Sequence, residues 1–277
     1  MPFSNKKMVV SGNTVETYLY ERNYMYGFTY DVKTKKPRRK RDVQEFDISN
    51  LIRTKRAVRR LLAANGWQYK ASDGSVFKPV FITFTFRDDV VDLTQANKSF
   101  TSFIRFFNRD YFKQDGYLKY LGVPEIQYSR ESSTGFGVWH YHVVFFNLPF
   151  VPRLYDRISE YWGNGFCFVG GRKKGARVIN DLNHLSNYVT KYLTKTCHEL
   201  RLFGRKKYLC SKGLFRSSEV RSPDLVDLVH SNYLSHNPLF TSEFFSAHDH
   251  QRIRYIKHSV DSNSSLKDLL GLVDISQ

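Results

Sequence analysis

The spacing of apolar and polar positions changes period several times along the chain, and each change predicts an element. Over 50–64 the spacing is helical: Leu51, Val58, Leu61 and Leu62 gather on one face, Arg53, Arg56 and Arg60 on the other, and Asn65-Gly66 supplies a stop. Residues 81–86 (FITFTF) set aromatic and β-branched side chains against Thr83 and Thr85, the pattern of a strand. Helical spacing returns over 93–112, where Ala96, Phe100, Phe103, Ile104, Phe107 and Tyr111 recur at three or four. Segments 120–129 and 138–147 are both rich in strand formers, and the Ser/Gly-containing stretch between them reads as the loop of a long hairpin. A helix over 154–161, a strand over 166–169, a helix over 182–196 and a strand over 207–210 complete the order β-α-β-β-α-β-α-β. That order predicts an α+β fold whose central sheet is antiparallel, about five-stranded and flanked by helices. Three segments are expected: a basic N-terminal arm with the arginine helix (1–75), loosely organised up to residue 46; the main domain (76–215); and an extension (216–277) with short helices at 225–233 and 266–273.

Charge narrows the partners. The 277 residues carry 43 Lys+Arg against 26 Asp+Glu, a formal +17 that attracts polyanions. Nucleic acid is the first partner to consider, and an acidic membrane surface is the rival. Apolar runs such as 143–146 fall far short of the roughly 20 residues that span a bilayer. Asn5, Lys6 and Lys7 are followed only by Met8-Val9-Val10, which is no signal-peptide pattern. The three cysteines, Cys167, Cys197 and Cys210, lack C-x-x-C spacing, so neither a disulfide framework nor a thiolate zinc site is indicated, and a reducing cytoplasm fits. Residues 33–41 (KTKKPRRKR) read as a solvated arm or as a phosphate-binding one, and a glycine loop over 170–175 presents Lys173 and Lys174.

Specific chemistry begins at WHYHVVFF. His140 and His142 stand two apart on a strand, so both imidazoles leave the same face while Tyr141 leaves the other. Together they can bind one ion. A third ligand should come from the neighbouring strand, where Glu125 and Gln127 share a face. Glu125 is the better candidate, because an anionic oxygen beside two neutral imidazoles makes a mixed N/O site suited to Mn²⁺ or Mg²⁺. His248-Asp249-His250 repeats the spacing without strand character and is set aside as a decoy. The chain contains no H-E-x-x-H, G-x-S-x-G or G-x-x-x-x-G-K-[ST], which leaves zinc protease, serine hydrolase and P-loop motor unsupported.

NYVTKYLTK (187–195) lies in the predicted 182–196 helix. At about 100° per residue, Tyr192 falls roughly 40° from Tyr188, with Lys195 near −20° and Lys191 near −60°, so all four share one strip. Leu182, Leu185, Val189 and Leu193 form the adjoining apolar face. Tyr192, nearer that face, reads as a boundary core residue or as chemistry, and the lysines as solvated or as phosphate contacts. A phenol is a weak nucleophile, yet it can attack a phosphodiester whose oxygens a metal polarises.

Taken together, these residues resemble the HUH endonucleases, and within them the rolling-circle replication initiators of small single-stranded DNA phages and bacterial plasmids. Three motifs stand in the family's order: the strand 81–85, His-hydrophobic-His at 140–142, and Y-x-x-K-Y-x-x-K at 188–195. The last is similar to that of two-tyrosine phage initiators. The resemblance implies a five-stranded antiparallel sheet carrying a metal on His140, His142 and Glu125. It implies Tyr188 as nucleophile on single-stranded origin DNA, leaving a 5′-phosphotyrosyl link and a 3′-hydroxyl primer. Tyr192 would make the second transfer, with Lys191 and Lys195 assisting. Host helicase and polymerase are the implied partners, in a bacterial cytoplasm.

Two other readings compete. A non-catalytic single-stranded nucleic-acid-binding protein would also use a basic aromatic sheet, stacking bases on Phe84 or Phe86, without needing His140, His142 and Tyr188 together. A packaging protein would carry its charge mainly in tails. Arg53, Arg56, Arg60, Thr83, Thr85, Lys173 and Lys174 are the expected nucleic-acid contacts, and losing one cation should lower the salt slope by about one.

Overall fold

The computed structural model describes residues 3–26, 48–131, 135–170, 181–196, 199–202, 204–234, 237–246 and 249–260. In chain order its elements are β1 (Phe3–Ser11), β2 (Thr14–Met25), α1 (Ile48–Asn65), β3 (Val80–Thr85), α2 (Leu93–Phe106), β4 (Tyr120–Glu131), β5 (Gly137–Phe145), α3 (Leu154–Trp162), β6 (Cys167–Val169), α4 (Leu182–Lys195), β7 (Leu209–Cys210), β8 (Ser218–Val220), α5 (Pro223–Tyr233), β9 (Phe240–Phe245) and β10 (Arg252–Ser259). The chain divides into two units, Asp42–Phe215 and a second one made from Met1–Arg41 with Arg216–Gln277. Each holds a five-stranded sheet whose neighbouring strands all run antiparallel.

In the 42–215 unit the strand order is β6-β3-β5-β4-β7. β5 is buried along its whole length, which its run of Val, Trp, Tyr and Phe prepares it for. Alternation divides the sheet's side chains between two faces. One face carries Ile82, Phe84, Phe86, Tyr141, Val143 and Phe145, and α2 packs Ala96, Phe100 and Phe103 onto it. Phe100 stacks on Tyr141 with centroids 4.9 Å apart, and Phe84 meets Phe103 at 4.9 Å and Trp162 at 5.2 Å. Each such ring contributes about 1.5–3 kcal/mol by leaving water. Asp92 starts α2 by accepting the Thr94 and Gln95 backbone N–H groups. The helical pattern expected to reach residue 112 continues past α2 as one wider π turn, Phe107–Tyr111.

The opposite face is covered at one end only. There α1 and α4 bring Leu51, Val58, Leu61, Leu62, Leu185, Val189 and Leu193 against Phe81, Leu121, Val123, Val144 and Phe146. Asp181 caps α4 through the Asn183 and His184 backbone N–H groups. On α1, Arg53 and Arg56 are exposed and Arg60 is half-buried.

Several expectations change. Residues 3–25, expected to be loosely organised, form β1 and β2, joined by a two-residue turn in which Gly12 takes φ 56°. Such a turn needs a left-handed residue, and the Gly12-Asn13 pair was its signal in the sequence. β10 pairs with β2 and β8 with β1, so the chain ends, which carried little pattern separately, complete one sheet. α5 lays Val226 and Val229 on Met8, Val10, Val15 and Val220 of that sheet, and corresponds to the helix expected at 225–233. Phe84 and Phe86 cannot stack bases: both are buried in the α2 core, being 0% and 2% exposed. The basic arm 33–41, Lys173, Lys174, His248 and the helix expected at 266–273 lie outside the described residues.

Gly165 lies where the turn after α3 crosses the end of β3. A Cβ there would collide with the Thr85 carbonyl oxygen and meet the Arg87 nitrogen at 2.7 Å, both backbone atoms that cannot swing aside. Gly165→Ala should therefore lower the unfolding free energy by about 1–3 kcal/mol, the usual cost of overpacking, read as an earlier urea midpoint at unchanged slope. A midpoint equal to the parent's would show that the crossing relaxes freely.

Candidate metal centre

Strand register assembles the centre. His140 pairs with Glu125 on β4 and Thr85 on β3; His142 pairs with Val123 and Thr83. Since Tyr141 points into the α2 core, both imidazoles leave the other face, beyond the apolar cover of α1 and α4. Glu125, His140 and His142 are all buried there, and their ligand atoms lie within 4.8 Å of one another. Gln127 is two residues further along β4, opposite Val138. Among the described residues no other group of three or more His, Cys, Asp or Glu side chains could hold a metal ion.

Hydrogen bonding around the group is uneven. His142 Nε2 lies 2.5 Å from Glu125 Oε2, and Lys195 Nζ donates to Glu125 Oε1 at 2.6 Å. His140 Nε2, by contrast, is buried with no hydrogen-bond partner. An unmatched buried nitrogen costs about 1–3 kcal/mol, so its aim toward a carboxylate and a second imidazole fits a cation. A cation on His142 Nε2 would require the proton on Nδ1, and Thr83 Oγ1, 3.1 Å from Nδ1, can accept it.

Burial sets the charges. It pushes the His140 imidazole down to about 4, helped by nearby His142, and Glu125 opposes the shift only in part. His142 is also lowered by burial, with the Glu125 carboxylate pulling the other way. Burial by itself would raise the Glu125 carboxyl, but the hydrogen bonds from His142 and Lys195 outweigh it and hold the group below its ordinary value. Near neutral pH the three side chains thus offer one carboxylate and two neutral imidazoles, the protonation state a metal needs.

α4 closes one side of the group. Tyr192 is only 7% exposed and stacks on His142, with ring centroids 3.5 Å apart and planes 12° from parallel. Tyr188 is half-buried and meets Phe81 edge-on at 5.1 Å and Tyr192 at 5.2 Å. Tyr188 is therefore the more exposed phenol, in the order the helical wheel predicts. Lys195 passes over the Tyr192 ring, 5.2 Å from its centroid, to reach Glu125, while Lys191 points to solvent.

The structure thus brings Glu125, His140, His142, Tyr188, Tyr192, Lys195 and Thr83 together. Thr85 lies beside them but spends its hydroxyl on the Phe166 carbonyl at 3.1 Å. Arg53, Arg56 and Arg60 stay outside the group, on the polar side of α1. Sequence reasoning missed the bond from Thr83 to His142, although the antiparallel pairing of β3 with β5 carried the signal. It also missed Phe166 and Phe168, which are 63% and 57% exposed.

Residues 79–197 match the family model of replication-associated protein ORF2/G2P. The matched segment runs from just before β3 to just after α4, and so contains the three candidate ligands, both tyrosines and both lysines. The match is consistent with a role in replication initiation. In comparisons with curated proteins and with solved structures, nothing matches. Among the described residues no helix is long and apolar enough to cross a membrane.

Titration calorimetry with Mn²⁺ should find one binding site per chain. His140→Ala should weaken it by at least the roughly 10- to 100-fold that follows loss of a ligand's supporting partner. Gln127→Ala should leave the affinity unchanged, and a loss as large as that of His140→Ala would move the third ligand from Glu125 to Gln127.

Proposed function

We propose that this protein nicks and rejoins single-stranded DNA at a replication origin, with Tyr188 as the first nucleophile, and thereby initiates rolling-circle replication. The observation that carries the proposal is the buried Glu125–His140–His142 group lying directly under a helix that presents two tyrosines and two lysines. A protein that only binds nucleic acid has no use for that juxtaposition.

A divalent ion on these ligands, Mn²⁺ or Mg²⁺ by their mixed N/O character, would polarise a non-bridging oxygen of the scissile phosphate. The Tyr188 phenolic oxygen attacks phosphorus as its proton leaves. The P–O3′ bond breaks, the 3′ oxygen takes up a proton, and the 5′-phosphate stays on Tyr188. Lys191, three residues further along α4 and exposed, holds the phosphate or eases loss of the phenolic proton. Lys195 is tied to Glu125 and acts first on that carboxylate, keeping it ionised and oriented.

The free 3′-hydroxyl can prime a host polymerase while a host helicase unwinds the duplex. Because phosphotyrosine exchanges one phosphoester for another, rejoining needs no nucleotide triphosphate. Tyr192 performs the second transfer once its ring leaves His142, and until then it forms part of the wall. Arg53, Arg56 and Arg60 on α1, with Lys173 and Lys174, supply sequence-independent phosphate contacts.

Incubating the protein with single-stranded oligonucleotides from its own replicon plus Mn²⁺ should yield a protein–DNA adduct that survives denaturation. Tyr188→Phe should cut the yield by at least about 100-fold, as removing a nucleophile does elsewhere, and His140→Ala should abolish it. An adduct lost only in Tyr192→Phe would exchange the two tyrosine roles. No adduct with any origin segment under several divalent metals would leave the chain as a binding protein.

A further inference from the structure

Among the exposed aromatic residues that the proposed chemistry does not use, Phe166 and Phe168 are 63% and 57% exposed, and their register gives them a place in the site. β6 pairs with β3 so that Cys167 stands opposite Phe84 and Phe168 opposite Thr83. Cys167 is buried in the α2 core, so Phe168 leaves the other face, the one carrying Thr83, His140 and His142. Phe166, two residues earlier, shares that face by alternation and is held by the Thr85 N–H donating to its carbonyl at 2.9 Å.

Two rows therefore cross the sheet side by side: Phe168, Thr83, His142, and Phe166, Thr85, His140, Glu125. Neighbouring strands lie about 4.8 Å apart, which puts each phenylalanine backbone roughly 10 Å from the histidine in its row. In register between them stand Thr83 and Thr85, both half-buried. Single exposed apolar side chains need no explanation, but two rings more than half exposed on one face, aligned with a metal group, make a surface.

We propose that Phe166 and Phe168 are a base-stacking platform for single-stranded DNA whose phosphate lies at the metal group. The inference rests on the nicking reading above and assigns it a substrate subsite. Along the strand the rings are about 7 Å apart, roughly twice the 3.4 Å rise per stacked base, leaving room for one base between them or one on each. The bases held there sit one or two nucleotides from the reacting phosphate. α4 lies on the β4 side with Lys191 exposed, so the strand runs from the rings, over Thr83 and Thr85, toward that lysine. A +17 chain attracts the backbone, and an aromatic face accepts any base, which suits positioning rather than readout.

Fluorescence anisotropy of the full chain with labelled oligothymidine, which carries no origin sequence, tests the platform in the presence of Mn²⁺. Phe166→Ala combined with Phe168→Ala should weaken binding by about 5- to 100-fold, as loss of base-stacking rings does, with the salt slope, melting temperature and Mn²⁺ affinity unchanged. Phe168→Tyr should bind like the parent, and Phe168→Leu, which keeps apolar bulk without a π face, should bind weakly. If the double variant binds as tightly as a parent that still forms the adduct, the platform is wrong and the nicking reading stands. A weakened variant whose melting temperature or salt slope also falls overturns the platform, because the loss is then one of folding or charge. A parent that binds no single-stranded DNA overturns both.

Discussion

The pairing of Glu125 with His140 across β4 and β5 is the constraint on which the site depends, because register decides in one step which side chains meet and which face they share. A slip of one residue between these strands would send Glu125 to the α2 face and bring Ile126 to the histidines. Register is held here by burial on both sides: Tyr141, Val143 and Phe145 must face α2, just as Val144 and Phe146 must face α1 and α4. The Trp139 indole N–H, donating to the Val91 carbonyl at 2.8 Å, and the Tyr141 hydroxyl, donating to Asn97 at 2.7 Å, add polar anchors on the same strand. The site geometry is therefore specified by residues that take no part in its chemistry.

Burying a carboxylate beside two imidazoles is costly unless each charge is matched. Glu125 is matched by His142 on one oxygen and Lys195 on the other, yet Lys195 keeps 49% of its side chain exposed, so water weakens that attraction. His140 Nε2 remains unmatched. A cation would complete the set, satisfying His140 and competing with Lys195 for Glu125. The lysine is well placed for such a competition, since it reaches the carboxylate from the open side of α4 across the Tyr192 ring.

Much of the 42–215 unit was legible in the sequence because its elements are strongly periodic, although of its four strand pairings only that of β4 with β5 joins neighbours in the chain. The His140–His142 spacing fixed their shared face, and the Tyr/Lys strip followed from helical geometry alone. What α4 would touch did not follow, since the stacking of Tyr192 on His142 depends on the angle at which a helix crosses a sheet. The second sheet was illegible for a different reason. β1 and β2 find β8 and β10 some two hundred residues away, and β9 has alternation without burial, being exposed on nearly every residue. The Gly12-Asn13 hairpin signal was local and readable; the long-range partners that make its strands a sheet were not. Phe166 and Phe168 illustrate the same limit, because a phenylalanine in a strand reads as core until the partner strand shows which face is covered.

The two faces of the β6-β3-β5-β4-β7 sheet divide the labour between stability and chemistry. The face toward α2 and α3 is filled with Phe84, Phe86, Phe100, Phe103, Tyr141 and Trp162, an aromatic density whose few polar atoms are satisfied, the Tyr141 hydroxyl by Asn97 and the Trp162 indole N–H by the Thr85 carbonyl. The site face gives up that contribution over Thr83, Thr85, His140, His142 and Glu125, where polar groups replace apolar ones. A single α+β layer can carry so much unburied or expensive surface only if its other face is packed above the ordinary. The crowding of rings behind the histidines is thus the counterpart of the polar face in front of them, and it holds β5 in the register that brings Glu125, His140 and His142 together.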